Sequence, residues 1–392
     1  MKNIFFGMLL ISLLSLPFLG CGNGKSHEGV NKKVSKEFSN QLKINQKSTF
    51  TDQAEGIDLV KIVDYLPNGY SKLGDTDYTD VIQDVLDKHS TVEFPNFPIL
   101  VNDKGLRIRS NSKLYFQKES LLKLKSSAKV LYAILNIAKV ENVSIYSPTI
   151  EGDRYRRVNP EDKKGEWGMG IWIQESKNIS VFNAKVTHCW GDGIYIGGGR
   201  DIVPNDSIYI HRPIIDENRR NGISITSGKN IRIIEPVVSN SRGKSPESGI
   251  DIEPNSNTST LNNIYIERPK TFNNQNHGIV VALTSLVGEL DNHVNIEIVN
   301  HIDEYSTYGF TMADFRPKKD KEVKKLTGNV IIKNAIWKFN KQAYALGNTS
   351  DLYPPVNFFN CKVYSDVNNV NVVDEGMQYK MKFLKKKGYF FQ

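Results

Sequence analysis

The chain has 392 residues, 39% of them hydrophobic and 24% charged, with 51 Lys and Arg against 43 Asp and Glu for a net charge of +8. That supplies ample apolar material for a sizeable core and excludes a chain too polar to fold. Three cysteines are too few for a disulfide framework, and no nucleic-acid-reading module accompanies the positive charge, so nucleic acid is not an expected partner.

At the N-terminus, Met1-Lys2-Asn3 gives a positive start, Ile4 to Phe18 is nearly all apolar, and Leu19-Gly20-Cys21 sets a Cys after a small residue. This order is that of a secretory signal, and its apolar run falls short of the ~20 residues a membrane span needs. It resembles the bacterial lipoprotein signal, which implies cleavage before Cys21 and lipidation of Cys21, although Phe18 stands where Leu is commoner. An ordinary signal peptide with a chance Cys is the alternative. The expected organisation is a signal over 1–21, a tether rich in Lys, Ser, Asn and Gln over 22–56, a folded domain over 57–375 and a basic tail over 376–392. The implied location is the bacterial cell envelope, with the membrane as a partner through the lipid.

From Ile57 the composition turns globular. Asp75 to Leu86 has a Thr or Asp cap and apolar spacing suited to one short helix, and Thr91-Val92-Glu93-Phe94 starts a strand. Six later segments then share one pattern: Gly170-Ile171-Trp172-Ile173, Gly193-Ile194-Tyr195-Ile196, Gly222-Ile223-Ser224-Ile225, Gly249-Ile250-Asp251-Ile252, Gly278-Ile279-Val280-Val281 and Gly309-Phe310-Thr311-Met312. The glycines are 23, 29, 27, 29 and 31 residues apart, a period that marks a solenoid. Further short strands follow each, as in Asn230-Ile231-Arg232-Ile233 and Pro236-Val237-Val238, with Asn or Gly at the corners. Two or three strands per turn describe an all-β parallel β-helix, and the short helix is expected to cap its open N-terminal end. Cys189 and Cys361 read as small rung residues, with a bridge between them left open.

The run Asp75, Thr76-Asp77, Ile82-Gln83, a strand, Phe94-Pro95 and then rungs resembles the right-handed β-helix, pectate-lyase-like superfamily, over roughly Ile57 to Val373. Ser248-Gly249-Ile250-Asp251-Ile252-Glu253-Pro254-Asn255 looks like a bacterial and phage branch of it. The resemblance implies the fold. It leaves activity open among hydrolases, lyases, epimerases and adhesins, because function resides in the site rather than the fold.

Stacking the rungs sets outward columns, with Trp172, Tyr195, Ser224, Asp251, Val280 and Thr311 two places after each Gly and expected to face solvent. Met169, Asp192, Asn221, Ser248, His277 and Tyr308 line the margin, with Gln174, Thr226 and Glu253 beside them. Trp167, Trp172, Trp190 and Tyr195 gather toward one end, followed by Asp192, Arg219, Arg220, Asp251, Glu253 and His277. Aromatic platforms beside carboxylates suit a sugar chain, so a polysaccharide is the expected partner. Asp251 and Glu253, at i and i+2, stand ~6.6 Å apart along one strand and Asp192 lies two rungs away, so these three are the candidate catalytic carboxyls.

The polygalacturonase branch has a Gly-Asp-Asp and a Gly-His-Gly on successive turns. Here Gly191-Asp192-Gly193 and Asn276-His277-Gly278 match in part, and no Arg-Ile-Lys is found, so pectin specificity is not implied. A lyase acting on uronates is the chemical alternative, with Arg219, Arg220, Lys229 or Arg242 as cation or Ca2+ held by Asp192, Asp251 and Glu253. A glycan-binding surface protein without chemistry is the other. The hydrolase requires no cofactor. The basic runs 318–325 and 380–387 read as solvated segments, although a basic exported protein also favours acidic polysaccharide. Asp153 and Arg154 are expected to pair with each other, His188 to border the groove, and His211, His293 and His301 show no metal-ligand spacing.

Overall fold

Each turn of the chain lays down up to three short strands that run parallel to those of the turn before. The computed structural model describes residues 56, 58–159, 165–198, 203–313, 323–347 and 351–364. The signal, Cys21, the tether to residue 55 and the tail over 376–392 lie outside these residues. Among them the strands run from Val60–Lys61 to Lys362–Tyr364 and form three parallel sheets, of eleven, ten and nine strands. The result is a parallel β-helix. A representative coil is Ile223–Ile225, Gly228–Ile234 and Val237–Ser239, and it stacks on Ile250–Ile252, Leu261–Glu267 and Lys270–Phe272.

The glycine repeat has a steric cause. A Cβ placed on Gly170, Gly193, Gly222, Gly249 or Gly278 would come within 2.6–2.8 Å of the carbonyl oxygen of the next glycine in the series. Only a residue without a side chain lets successive coils approach closely enough to hydrogen-bond there, as Gly193 N–H does to Asn221 O and Gly222 N–H to Ser248 O. The flanking residues are then locked. Ile171, Ile194, Ile223, Ile250 and Ile279 stack inward, as do Ile173, Ile196, Ile225, Ile252 and Val281, all fully buried. Each such side chain contributes roughly 1.5–3 kcal/mol relative to exposure.

Asparagine holds a corner. Asn142, Asn178, Asn230 and Asn263 adopt φ of 59°, 54°, 55° and 56°, a left-handed conformation that Asn tolerates. Their amides form a ladder along the axis, with Asn142 donating to Asn111, Asn178 to Asn142 and Asn263 to Asn230 at 2.7–2.9 Å. In the gap, Asn230 donates to Asp206 instead.

The expected helix spans Thr79–Lys88. It starts after Asp75 because the Asp77 carboxylate accepts the Thr79 N–H, fixing the first turn there. Gln83 then pairs its side-chain amide with both the N–H and C=O of Arg107, at 2.8 and 3.1 Å. Leu106–Arg107 is the last strand of the nine-stranded sheet, so Gln83 imitates a further strand and closes an open edge. No helix among the described residues is long and apolar enough to cross a membrane.

The structure resolves the open question of the cysteines and corrects the expected Asp153 pairing. Cys189 and Cys361 are both free thiols, the first buried and the second partly exposed. Asp153 pairs not with Arg154 but with Arg157, Tyr132 Oη and the Ser127 N–H, whereas Arg154 donates to the carbonyls of Glu217 and Arg242. His301, marked in the sequence only by its lack of metal-ligand spacing, has a defined place. It lies wholly inside the coil, where Trp337 Nε1 donates to its Nδ1 at 3.2 Å and its Nε2 faces Thr271 Oγ1 at 2.8 Å.

Asp303 completes this interior group, stacked between Thr271 and Trp337 and accepting from Thr271, Ser306 and Asn340. Burial raises its carboxyl to about 7 from 3.8, against the lowering effect of those hydrogen bonds. A raised folded value means the proton stabilises the fold. That contribution is full below pH 3.8 and is lost as pH rises through about 7. The urea midpoint should therefore fall between pH 4 and pH 7, and Asp303→Asn should flatten that decline. Independently, Gly222→Ala should lower unfolding free energy by about 1–3 kcal/mol in the same assay, because its Cβ would strike Val238 and the Gly249 carbonyl.

Candidate functional site

Register in the nine-stranded sheet sets Trp172 beside Tyr195, Tyr195 beside Ser224, Ser224 beside Asp251, Asp251 beside Val280 and Val280 beside Thr311. The outward column is thus in the expected order. It does not face solvent as expected: Ser224 and Asp251 are 1% and 2% exposed. Their neighbours bond across them, since Asn221 Nδ2 donates to Ser224 Oγ at 3.0 Å and to Asp251 Oδ2 at 2.8 Å.

Arg220 is the centre of the arrangement. Its Nη1 donates to Asp192 Oδ2 at 2.8 Å, and its Nη2 lies 3.9 Å from both Asp251 Oδ2 and Glu253 Oε2. Its Nε lies 3.9 Å from Glu166 Oε2, and Lys244 Nζ reaches the same oxygen at 3.7 Å. Burial alone would lower the guanidinium's affinity for its proton, but four carboxyl groups around it raise that affinity above the ordinary arginine value.

Asp192, fully buried, also accepts from Ser224 Oγ at 2.8 Å and the Asn221 N–H at 3.0 Å. Burial lifts its carboxyl above the usual value, opposed by Arg220 and these hydrogen bonds. With three donors it is held as the carboxylate partner of Arg220. Asp251 and Glu253 differ. Arg220 Nη2 lies 3.9 Å from an oxygen of each, and Asp251 Oδ1 has no hydrogen-bond partner among the described residues. Two carboxyls set against one guanidinium disfavour each other's ionisation. Burial, then the Glu253 charge, raises Asp251 well above the ordinary aspartate range, and burial with the Glu166 and Asp192 charges raises Glu253, against the opposing effect of Arg220. The outer end is open: the Glu253 side chain is 45% exposed and that of Glu166 27%.

Of the predicted site residues, Asp192, Arg220, Asp251 and Glu253 are brought together. Trp190 and Arg219 are not groove residues. Trp190 is buried between the guanidinium groups of Arg157 and Arg219, 4.4 and 3.7 Å from its ring centroid, and Arg219 donates to the Gly165 and Trp190 carbonyls. Trp167 and Trp172 are half-buried and pack with Tyr195, Met169 and Ala133 in a small cluster on the outer face. Trp172 donates to the Gly197 carbonyl and Tyr195 Oη accepts from Asn255. His277 stacks on Tyr308 and bonds Thr311 Oγ1 at 2.8 Å, outside the carboxylate group, and burial lowers it to about 4. His188 faces Glu217 at 3.4 Å rather than this site.

Glu166 and Lys244 went unrecognised because both lie in connections without a repeat. Asn221 and Ser224 were placed on columns, but nothing in their spacing signals a bridging role. The other cations proposed for a lyase do not converge here: Lys229 faces Asp206 and Arg242 donates to the Asn273 carbonyl. A Ca2+ ion does not fit either, since the Arg220 guanidinium already occupies the place among the carboxylates that the cation would take. Among the described residues no group of three His, Cys, Asp or Glu is spaced to hold a metal.

A family model described as "Right handed beta helix region" matches residues 85–266. Two relatives from Bacillus subtilis (strain 168) are both uncharacterized. YclG is 24% identical over 62% of this chain and 46% of its own length, and the SPbeta prophage-derived protein YorA is 27% identical over 38% and 28%. The matched region therefore spans less than half of either relative. Among solved structures, the tailspike protein of E. coli bacteriophage HK620 in complex with a hexasaccharide aligns with a TM-score of 0.59 at 12% identity, over 78% of this chain and 57% of that one. The tailspike gp49 of Acinetobacter baumannii bacteriophage Fri1, a capsular polysaccharide depolymerase, aligns at 0.51 and 13%, over 83% and 66%. PfbA, a surface adhesin of Streptococcus pneumoniae, aligns at 0.50 and 13%, over 78% and 90%. At these identities the likeness is one of fold.

Replacing Arg220 with Met should cost about 3–5 kcal/mol in chemical denaturation, because it leaves Asp192 ionised and buried without a cation. Adding Asp192→Asn should recover most of that loss.

Proposed function

We propose that the protein is an exported, lipid-anchored carbohydrate-active enzyme, a glycoside hydrolase that cleaves a polysaccharide laid along the nine-stranded sheet. The observation that carries this reading is the exposed Glu253 carboxyl set with the buried Asp251 against one guanidinium, that of Arg220. Glycoside hydrolysis needs one carboxyl held protonated and a second held ionised across the scissile bond. Glu253 is suited to the first role. As the bond from the anomeric carbon to the leaving oxygen breaks, Glu253 gives that oxygen its proton, and Asp251 sets how firmly the proton is held.

Glu166, on another side of the same guanidinium, is the exposed carboxylate available to accept a proton from attacking water. Asp192, fully buried and bonded by three donors, has no route to a substrate. Its part is to hold Arg220, so the reacting role expected of Asp192 from the sequence passes to Glu166. Trp167 and Trp172 offer apolar surface for sugar rings on the same face. The tailspike neighbours, one bound to a hexasaccharide and one a depolymerase, support the class of ligand.

A glycan-binding role without turnover is the second reading, favoured by the burial of Asp192 and Asp251 and by the adhesin neighbour. The two separate in one assay. Incubated with a panel of polysaccharides, the full chain should release reducing ends without forming unsaturated uronates. Glu253→Gln should lower that rate by at least about 100-fold while retaining glycan binding. Chelation with EDTA should leave the rate unchanged, since the Arg220 guanidinium occupies the place among the carboxylates that a Ca2+ ion would take. Retention of glycan by both proteins with no reducing ends from either would establish the binding role instead.

A further inference from the structure

The chain is basic as a whole, but the charge at the Arg220 site runs the other way. Arg220 commits its direct hydrogen bond to Asp192, and its Nε–H is buried with no acceptor in hydrogen-bond range. Its positive charge is therefore spent inside the wall. What the site presents outward is Glu253 and Glu166, with Lys244 as the exposed cation, held to Glu166 by a loose 3.7 Å contact. Such a pair at the surface is weak and easily displaced. The other nearby guanidinium, Arg219, is 4% exposed and turned toward Trp190 and the backbone.

Two features show which sign of charge this surface accepts. Arg220 holds its proton more tightly than an ordinary arginine despite its burial, so the local potential is negative. Asp251 Oδ1, in a residue 2% exposed, is an acceptor that no described donor reaches. The groups that reach the surface beside it, Glu253 and Glu166, are acceptors as well, whereas the orphan Arg220 Nε–H is buried. A sugar carboxylate brought here would meet Glu253 and Glu166 with Lys244, already set against Glu166, as its compensating cation, whereas hydroxyl, amide or ammonium groups would donate to both carboxyls.

We infer that this site selects an uncharged or amine-bearing glycan and rejects uronates, with Glu166 and Glu253 as the specificity-determining residues. The inference rests on the hydrolase or binding reading of the same face. It runs against the acidic polysaccharide that net charge suggests, because the excess positive charge of the chain does not reach this surface.

The test uses matched oligosaccharides on β-1,4, β-1,3 and α-1,4 glucan backbones, each unmodified, oxidised at C6 to the carboxylate, or carrying a 6-amino group. Binding to the full chain is measured by calorimetry at low and at moderate salt, alongside release of reducing ends. On whichever backbone binds, the carboxylate form should be at least about tenfold weaker than the unmodified form, and the amino form equal to it or tighter. The double variant Glu166→Gln, Glu253→Gln, which is not expected to turn over, should bring the three forms within about threefold of one another. A carboxylate form that binds tightest, or an order that the double variant leaves intact, would overturn the inference alone. Selective binding without reducing ends would sustain it and remove the hydrolase reading, and binding by none of the nine would overturn both.

Discussion

The structure depends on how closely one coil can approach the next at the glycine column. A hydrogen bond between successive coils at Gly193 or Gly222 requires a carbonyl to sit where a Cβ would be. Because that spacing is enforced at each step, register cannot drift, and a residue's place after its glycine determines its face and its neighbours. The isoleucine stacks inside and the Trp172 to Thr311 column outside are two consequences of the same constraint. The asparagine ladder and the Gln83 edge pairing extend it to a corner and to the N-terminal end.

Within that frame, one guanidinium organises a group of carboxylates that would otherwise repel one another. Arg220 pairs with Asp192, and burial together with neighbouring negative charge raises both Asp251 and Glu253 above their ordinary values. Asn221 and Ser224 tie the two halves together through a chain of hydrogen bonds. Burial grades the carboxyls by depth, from Asp192 and Asp251 inside to Glu166 and Glu253 at the mouth. Similar groups thereby acquire different work, in the way that environment separates two carboxyls in other sugar-cleaving sites.

The fold was legible in the sequence because a solenoid repeats its steric rule: Gly, then alternating apolar residues, then Asn at the corner. The columns followed from the same period, and with them the meeting of Asp192, Asp251 and Glu253. Depth was not legible. Spacing gives the side of a strand on which a residue lies but not what covers it, so Asp251 and Ser224 appeared to face water when Asn221 bonds across them. Trp190 and Arg219 were misjudged for a related reason. An aromatic beside carboxylates reads as a binding platform in sequence, and only three dimensions reveal Arg157 and Arg219 on the Trp190 ring. Glu166 and Lys244 lay beyond reach because connections between coils carry no period.

The site draws its groups from four successive turns of the solenoid: Glu166 ahead of the strand Trp167–Gln174, then Asp192, then Arg220, then Asp251 with Glu253. In a protein whose stability is shared between neighbouring turns, whole turns can be gained or lost at the ends of the stack with little effect on the rest. A turn inserted among these four would leave the architecture sound but would separate Arg220 from one of its carboxylates by a further rung. The site is therefore a block of fixed length within a stack of adjustable length. Lineages carrying it are free to vary how far the stack extends on either side, and so how long a partner molecule it spans, without altering the block itself.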